Sequence, residues 1–190
     1  MSRTYRLGKR AETAAATRKK IVDAAMELHR TVGPRATTVA EIARIAGVER
    51  LTVYNHFPED RDLVTAAQSQ WLGLYPQPDP YAWAGIENPI ERLRAALLAL
   101  YAWYAQTEAM TRHVLADGPA LPSFTGILAG MAANEREVLG FLTAGWEPTP
   151  WALATIRTGL AFATWDTLCK SGGLATDEAV ALVVAWVKAA

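Results

Sequence analysis

The sequence predicts an all-α protein of about nine helices. Apolar residues recur at intervals of three and four in most segments, and no segment shows the sustained alternation of apolar and polar residues that a half-buried strand requires. Glycine and proline residues separate the periodic segments. The 190 residues are 51% apolar and 20% charged, a composition that is typical of globular proteins and excludes a disordered or fibrous chain.

The N-terminal segment predicts a basic arm followed by a helix. Residues 1–10 have no apolar periodicity and are rich in arginine and lysine, which predicts a flexible basic arm, although a terminus without a role would have the same composition. From about Ala11, apolar residues form one stripe along a predicted helix that ends near Val32. Gly33 and Pro34 are typical of a helix end, because glycine adopts the left-handed cap and proline cannot continue a helix.

Two short helices are predicted next. Thr38 and Glu41 have the spacing of a capping box, in which the hydroxyl and the carboxylate accept hydrogen bonds from free N–H groups at a helix start. This helix ends at Gly47, which makes a tight turn, and a second helix covers residues 49–56. Two short helices joined by a turn that contains glycine predict a helix-turn-helix.

Six further helices are predicted after this motif. They cover residues 60–75, 88–107, 109–116, 123–144, 149–170 and 176–190. The sequences Asn88-Pro89 and Thr149-Pro150 are typical helix starts, since each joins a capping side chain to proline at the first helical position. The middle of the 88–107 helix, residues 95–105, is apolar nearly all round, so this helix is predicted to be central and buried.

Charge is distributed unevenly along the chain. Residues 1–62 contain twelve Lys/Arg and eight Asp/Glu, a net charge of +4, whereas residues 63–190 contain seven and eleven, a net charge of −4. A basic front part indicates a polyanionic partner. The predicted organisation is a basic arm over residues 1–10, a helix-turn-helix domain over 11–62 and a second helical domain over 63–190.

Several classes of protein are excluded by what the sequence lacks. Cys169 is the single cysteine, so neither an internal disulfide nor a zinc site of cysteine pairs is expected. No catalytic or phosphate-binding motif is present, and we expect no enzyme activity, no cofactor and no metal. The basic N-terminus has no apolar core, and no run of about 18 apolar residues occurs, so we expect a cytoplasmic protein without a signal peptide or membrane span.

The helix-turn-helix segment resembles the DNA-binding domain of the TetR (tetracycline repressor) family of bacterial transcription regulators. The resemblance rests on residues 37–63, which read TTVAEIARIAGVERLTVYNHFPEDRDL. The matching residues are Thr38, Val39, Ile42, Ala43, Ala46, Gly47, Val48, Val53, Tyr54, His56, Phe57 and Leu63. The resemblance covers about residues 18–65, and the later helix lengths and the break at residues 172–174 look like the family's ligand-binding and dimerisation region. It implies a homodimer that forms through the last two helices and binds double-stranded operator DNA.

The second short helix carries the residue types that DNA recognition requires. A helix of this size fits the major groove, and Val53 and Phe57 are spaced to anchor it to the protein. The remaining side chains then face outward and present groups that can bind phosphates or base edges: Arg50, Leu51, Thr52, Tyr54, Asn55 and His56. The alternative is that these residues are the solvated surface of an ordinary helical domain.

The resemblance implies a role for each outward position. Phosphate contacts are implied for Thr38, Thr52 and His56, and a phosphate or base contact for Tyr54. Base-facing positions are Arg50, Leu51 and Asn55. The sequence departs from the family pattern at Glu49, Leu51 and Asp60, which stand where a Ser cap, a small residue and a phosphate-binding Lys are frequent. Arg61 is the expected substitute for that Lys.

All seven tryptophans lie beyond residue 70, so the second domain is unusually aromatic. Core packing accounts for most of these rings, and a second interpretation is that some line an apolar ligand cavity. The resemblance implies a cavity among the helices before the last two, and the expected lining residues are Trp71, Trp103, Tyr104, Phe124, Met131 and Trp165.

The resulting hypothesis is a repressor that an apolar or aromatic small molecule releases from its operator. A ligand-independent repressor or activator of the same family, and a helical enzyme or small-molecule carrier, are the alternatives.

Overall fold

The computed structural model describes the backbone from Arg3 to Ala190 and the side chains from Lys9 onward. The predicted all-α fold is confirmed, because every regular element in this part of the chain is helical. The α-helices are α1 (Arg3–Thr31), α2 (Val39–Ala46), α3 (Arg50–His56), α4 (Asp60–Leu74), α5 (Pro89–Asp117), α6 (Thr125–Thr143), α7 (Pro150–Leu160), α8 (Phe162–Trp165) and α9 (Thr176–Ala189). A π-helical segment, Asp166–Ser171, follows α8. Over the described residues, no helix combines the length and the apolar character that a membrane span requires.

The helix limits differ from the predicted ones at three places. Helix α1 begins at Arg3 and continues through most of the predicted arm, because Arg, Lys and Leu favour a helix even without an apolar stripe. Helix α5 is continuous where two helices were predicted, since it contains no glycine and its only proline stands at its start. The predicted 149–170 helix is interrupted at Ala161, whose backbone is extended.

The chain forms two compact units, each with its own core. The first unit comprises the residues up to Leu74 together with Arg112–Leu128, and the second comprises Tyr75–Thr111 together with Ala129–Ala190. Helix α5 therefore contributes residues to both units. The division of function that we predicted between residues 11–62 and 63–190 stays a prediction.

A close approach in the first unit explains the glycine that follows α1. Gly33 has a φ of +89°, and a Cβ at this position would lie 2.6 Å from Oδ2 of Asp117. The same carboxylate oxygen accepts a hydrogen bond of 3.0 Å from the backbone N–H of Arg35. The backbone angle and the lack of space both favour glycine here, and Asp117 holds the turn that leads into α2.

In the second unit, a buried arginine holds the C-terminal end of α6. The Arg92 side chain is buried, and its guanidinium donates hydrogen bonds to the carbonyl oxygens of Leu142 (3.1 Å) and Ala144. A third bond of 3.1 Å reaches the carbonyl oxygen of Ile86. The last carbonyl groups of a helix have no partner within the helix, so this guanidinium satisfies groups whose burial would otherwise be costly.

Two tyrosines of α5 hold the C-terminal end of α7 in the same way. The Tyr101 hydroxyl donates to the carbonyl oxygen of Gly159 (2.9 Å), and the Tyr104 hydroxyl donates to that of Leu160 (2.8 Å). These carbonyls end α7 because the extended backbone of Ala161 interrupts the helix. Burial raises the pKa of both tyrosines, so each hydroxyl keeps its proton and remains a donor.

Replacing Tyr101 with Phe is expected to lower the free energy of unfolding by about 1–3 kcal/mol, because the buried Gly159 carbonyl loses its donor. The matched control is Tyr81→Phe, which removes the same hydroxyl from a side chain that is 68% exposed. The control should change the free energy of unfolding by less than about 0.5 kcal/mol. Urea denaturation followed by circular dichroism measures both values, and equal losses would contradict the capping role of Tyr101.

Candidate nucleic-acid interface

Local backbone chemistry fixes the turn between α2 and α3. Thr38 caps α2, and its Oγ1 accepts a hydrogen bond of 3.2 Å from the N–H of Glu41, as the capping box predicts. The Glu41 carboxylate, which the capping box predicts to accept from a backbone N–H, is instead bonded by the guanidinium of Arg44, with 3.0 Å between Nε and Oε2. Helix α2 ends at Gly47, whose φ of 67° and ψ of 41° lie in the left-handed region. Glycine adopts this conformation without the strain that other residues incur, so the sharp turn depends on Gly47.

Two apolar residues anchor α3 to the first unit. Val53 is 1% exposed, and Phe57, which directly follows the helix, is 3% exposed. Both belong to a buried cluster that includes Ile21 of α1 and Ile42 of α2. These contacts fix which side of α3 faces the core and which side remains outside.

The outer side of α3 carries the residues that the sequence predicts to contact DNA. Leu51 is 69% exposed and Tyr54 is 51% exposed. Arg50 and Asn55 are exposed as well, whereas the two further predicted contacts, Thr52 and His56, are half-buried. The exposed face therefore combines hydrogen-bond donors, an amide that donates and accepts, and an apolar side chain.

Two predicted phosphate contacts flank this helix in the sequence. Thr38 is exposed, and because its oxygen accepts from the Glu41 N–H, its own proton is available to a phosphate oxygen. Arg61 is exposed in the first turn of α4, between Asp60 and Asp62. Acidic residues stabilise a helix start because the helix dipole is positive there, which is a physical reason for Asp60 at a position where the resemblance leads us to expect Lys.

Several basic side chains of the first unit are already paired with carboxylates. The Nζ of Lys19 lies 2.8 Å from Oδ2 of Asp23. Arg30 pairs with Glu27 at 2.7 Å, and Arg44 pairs with Glu41. Each of these three pairs is neutral as a unit, so Lys19, Arg30 and Arg44 add nothing to the net positive charge that this part of the chain offers to a polyanion.

Unlike these three paired side chains, Arg18 contacts an aromatic ring, and the sequence alone did not predict this contact. Its guanidinium carbon lies 4.5 Å from the centroid of the Phe57 ring, so the cation stacks on a residue that anchors α3. The Arg18 side chain is exposed. No spacing rule links two residues so far apart in the chain, so the pairing becomes visible only when α1 and α3 are folded.

The second unit brings three of the predicted ligand-site residues together. The ring centroids of Trp103 and Tyr104 are 5.6 Å apart, and those of Tyr104 and Trp165 are 5.9 Å apart. Phe162 joins this cluster at 5.3 Å from Tyr104. The Trp103 ring also donates a hydrogen bond of 3.0 Å from Nε1 to the carbonyl oxygen of Tyr75. Met131, a fourth predicted residue, is half-buried on α6 of the same unit.

The other two predicted ligand-site residues, Trp71 and Phe124, are buried in the first unit. Phe124 meets His29 edge to face, with 5.5 Å between the ring centroids. Burial lowers the pKa of His29 to about 4, so the imidazole in this contact is neutral at pH 7. Membership of an effector site stays a prediction for all six residues.

Comparison with known proteins agrees with this geometry. A family model described as bacterial regulatory proteins, tetR family, matches residues 21–67. An HTH-type transcriptional regulator of Bacillus subtilis, YvkB, is 46% identical over 54 residues, which are 28% of this chain and 29% of that protein. The HTH-type transcriptional regulator HbdR of an Aromatoleum species is 33% identical over 82 residues, 43% of this chain and 36% of that protein. The chain thus matches about a third of the length of these curated relatives.

Solved structures extend the likeness in fold over most of the chain. A TetR-like transcriptional regulator from Rhodococcus sp. matches with a TM-score of 0.63 at 17% identity, covering 90% of this chain and 93% of that one. NalD of Pseudomonas aeruginosa, the secondary repressor of the MexAB-OprM multidrug efflux pump, matches with a TM-score of 0.59 at 22% identity, covering 94% and 96%. At such identities the likeness concerns the fold alone.

Replacing Gly47 with Ala is expected to lower the free energy of unfolding by about 1–2 kcal/mol, because an L side chain is strained in the left-handed conformation. A Cβ at Gly47 meets no atom within 4 Å, so backbone strain is the cause that this variant isolates. The control is Gly140→Ala in α6, where a Cβ also meets no atom within 4 Å and alanine should stabilise the helix by about 0.5–1 kcal/mol. Thermal unfolding of both variants measures the difference, and a stabilised Gly47→Ala protein would contradict our account of the turn.

Proposed function

We propose that this chain, a member of the tetR family of bacterial regulatory proteins through its residues 21–67, binds specific sequences of duplex DNA and represses transcription in the cytoplasm. The observation that carries the proposal is the outer face of α3, where a guanidinium, a phenol, an amide and an apolar side chain are exposed on one short helix. Reading DNA in the major groove requires such a face on an element that is held rigidly. The buried anchors Val53 and Phe57 and the turn at Gly47 supply that support.

Base contacts are assigned to three exposed positions of α3. The Arg50 guanidinium suits the two acceptors of guanine, and the Asn55 amide suits the donor and acceptor of adenine. Leu51 can contact the methyl group of thymine. These three side chains would determine sequence preference, because each recognises a different base edge.

Phosphate contacts are assigned to the residues around this face. Thr38, Thr52, His56 and Arg61 present hydroxyl, imidazole and guanidinium groups, and Tyr54 can reach a phosphate or a base. Phosphate contacts fix the position of the protein on the duplex and carry no sequence information directly. They also make binding dependent on salt, because each neutralised phosphate releases counterions.

We expect Arg50→Ala and Asn55→Ala to cost about 1–3 kcal/mol of binding free energy each and to relax the preference at one base pair. Thr52→Ala should weaken binding to all sequences alike, because it removes a phosphate contact. Selection from a pool of randomised duplexes, followed by sequencing, measures preference for each variant. A relaxed preference from Thr52→Ala, with none from the other two variants, would reverse the assignment.

A homodimer through α7 and α9 forms part of the proposal. The valines of α9 pack within one protomer, since Val180, Val183, Val184 and Val187 are all buried there. Two large apolar side chains stay outside, Trp151 at 77% and Trp186 at 39% exposure. They belong to neighbouring helix ends, because the Thr149 hydroxyl that precedes α7 donates to the carbonyl oxygen of Ala190, which follows α9, at 3.3 Å. Packing of Trp151 and Trp186 against a second copy of the chain would remove both side chains from water.

Trp151→Glu is expected to convert the dimer into a folded monomer, because it places a charge in the proposed interface. Glutamate suits the first turn of α7, so the fold should tolerate it. Tyr81→Glu, at a side chain of similar exposure in the same unit, is the control and should leave the dimer intact. Sedimentation equilibrium gives the mass of each variant, and a dimer that survives Trp151→Glu would place the interface elsewhere.

We further propose an apolar, ring-containing effector that binds in the second unit and weakens DNA binding. The cluster of Trp103, Tyr104, Phe162 and Trp165 supports this proposal, because aromatic walls with a few polar groups are typical of ligand sites. By linkage, an effector that lowers DNA affinity must itself bind less tightly to the DNA-bound protein by the same factor.

A screen of apolar ring compounds should find one that changes tryptophan fluorescence and lowers affinity for a selected operator. Trp103→Ala is expected to lose the response to this compound while it still binds DNA, and Trp151→Phe should keep the response. If every compound that releases DNA acts equally on Trp103→Ala, the effector site lies elsewhere. If no compound releases DNA, the ligand-independent repressor becomes the better account.

A further inference from the structure

Arg18 of α1 contacts an anchor of α3 and stays open to solvent. Its guanidinium carbon lies 4.5 Å from the Phe57 ring centroid, which is the geometry of a cation–π contact. Phe57 is 3% exposed and directly follows α3, so the guanidinium is held at the C-terminal end of this helix. A guanidinium has five N–H donors, and contact with an aromatic ring provides none of them with an oxygen acceptor.

The neighbouring lysine differs from Arg18 in its partner. Lys19 is bonded to Asp23, with 2.8 Å between Nζ and Oδ2. Among the residues from Lys9 onward, no carboxylate oxygen lies within ion-pair distance of Arg18. Two adjacent cations on one helix thus have opposite environments, one neutralised locally and one fixed by an uncharged ring.

Phe57, the residue that Arg18 contacts, is followed by an acidic stretch of sequence. Glu59, Asp60 and Asp62 follow Phe57 closely, and all three are exposed. Carboxylates at this position would repel the DNA phosphates that lie beside the C-terminal end of α3 in the proposed complex. A cation stacked on Phe57 brings a fixed positive charge to this end of the helix.

We propose that Arg18 is a DNA-backbone contact, positioned by stacking on Phe57 so that its N–H edge binds a phosphate beside α3. This inference rests on the proposed function, because it concerns the same duplex DNA. It adds to that function a residue outside the helix-turn-helix and assigns Phe57 a second task besides anchoring α3. Since a phosphate contact is independent of sequence, any duplex reports it.

The test compares Arg18→Ala with Lys19→Ala, which removes one positive charge from the adjacent exposed position. Binding of the full chain to a labelled random-sequence duplex is measured by fluorescence anisotropy between about 50 and 200 mM salt. Arg18→Ala should lower the slope of log affinity against log salt by about 0.9 for each lost contact, or about 1.8 for a dimer. Lys19→Ala should change the slope by much less, because Asp23 already neutralises that lysine. If both variants changed the slope by the same amount, the proposed phosphate contact would be wrong, and Arg18 would contribute only its charge.

Arg18→Lys tests the stacking itself, since lysine keeps the charge but lacks the planar group that stacks and donates from its edge. Its affinity for the duplex should fall between those of Arg18→Ala and the unmodified protein. If Arg18→Lys bound the duplex as tightly as the unmodified protein, stacking on Phe57 would not position the contact. Unfolding temperatures of the three variants identify any purely structural effect, and a loss of stability without a change in slope would contradict the proposal. If the unmodified chain binds no duplex at about 50 mM salt, the proposed function itself fails.

Discussion

The geometry of the candidate interface depends on the burial of Val53 and Phe57. Helix α3 has seven residues, too few to be stable alone, so its position is determined by what its inner side packs against. Ile21 and Ile42 supply that packing, and the left-handed turn at Gly47 sets the angle at which the chain enters the helix. These contacts therefore determine the direction in which the exposed side chains of α3 point. A change that loosens Phe57 would therefore act on DNA recognition even though this residue is not exposed.

The sequence predicted this part of the fold well because its signals are local. Thr38, Gly47 and the spacing of Val53 and Phe57 each act within a few residues, and the structure places all of them as predicted. The contact between Arg18 and Phe57 could not be predicted, because it joins distant positions of the chain without any pattern. The pairing of Lys19 with Asp23 shows a related limit, since the net charge of a segment does not tell which of its cations are paired with a carboxylate.

Predictions for the second unit were less accurate, and long-range hydrogen bonds explain the difference. The predicted 149–170 helix is interrupted at Ala161, and the hydroxyls of Tyr101 and Tyr104 donate hydrogen bonds to the last carbonyls of α7. The valines of α9 are buried in the protomer, so the proposed dimer contact rests on Trp151 and Trp186. Aromatic composition alone did not distinguish a packed core from the wall of a ligand site. The structure brings three of the six predicted residues together around Tyr104, and the effector site itself stays a prediction.

The central claim is that the outer face of α3 reads a DNA sequence. The most direct measurement is to incubate the purified chain with sheared DNA from the genome that encodes it, recover the bound fragments at moderate salt and sequence them. Our account predicts a few strongly enriched fragments that share a two-fold symmetric motif, with half-sites separated by about one helical turn of DNA or a multiple of it. Recovered fragments that match the input DNA in sequence and abundance would contradict it.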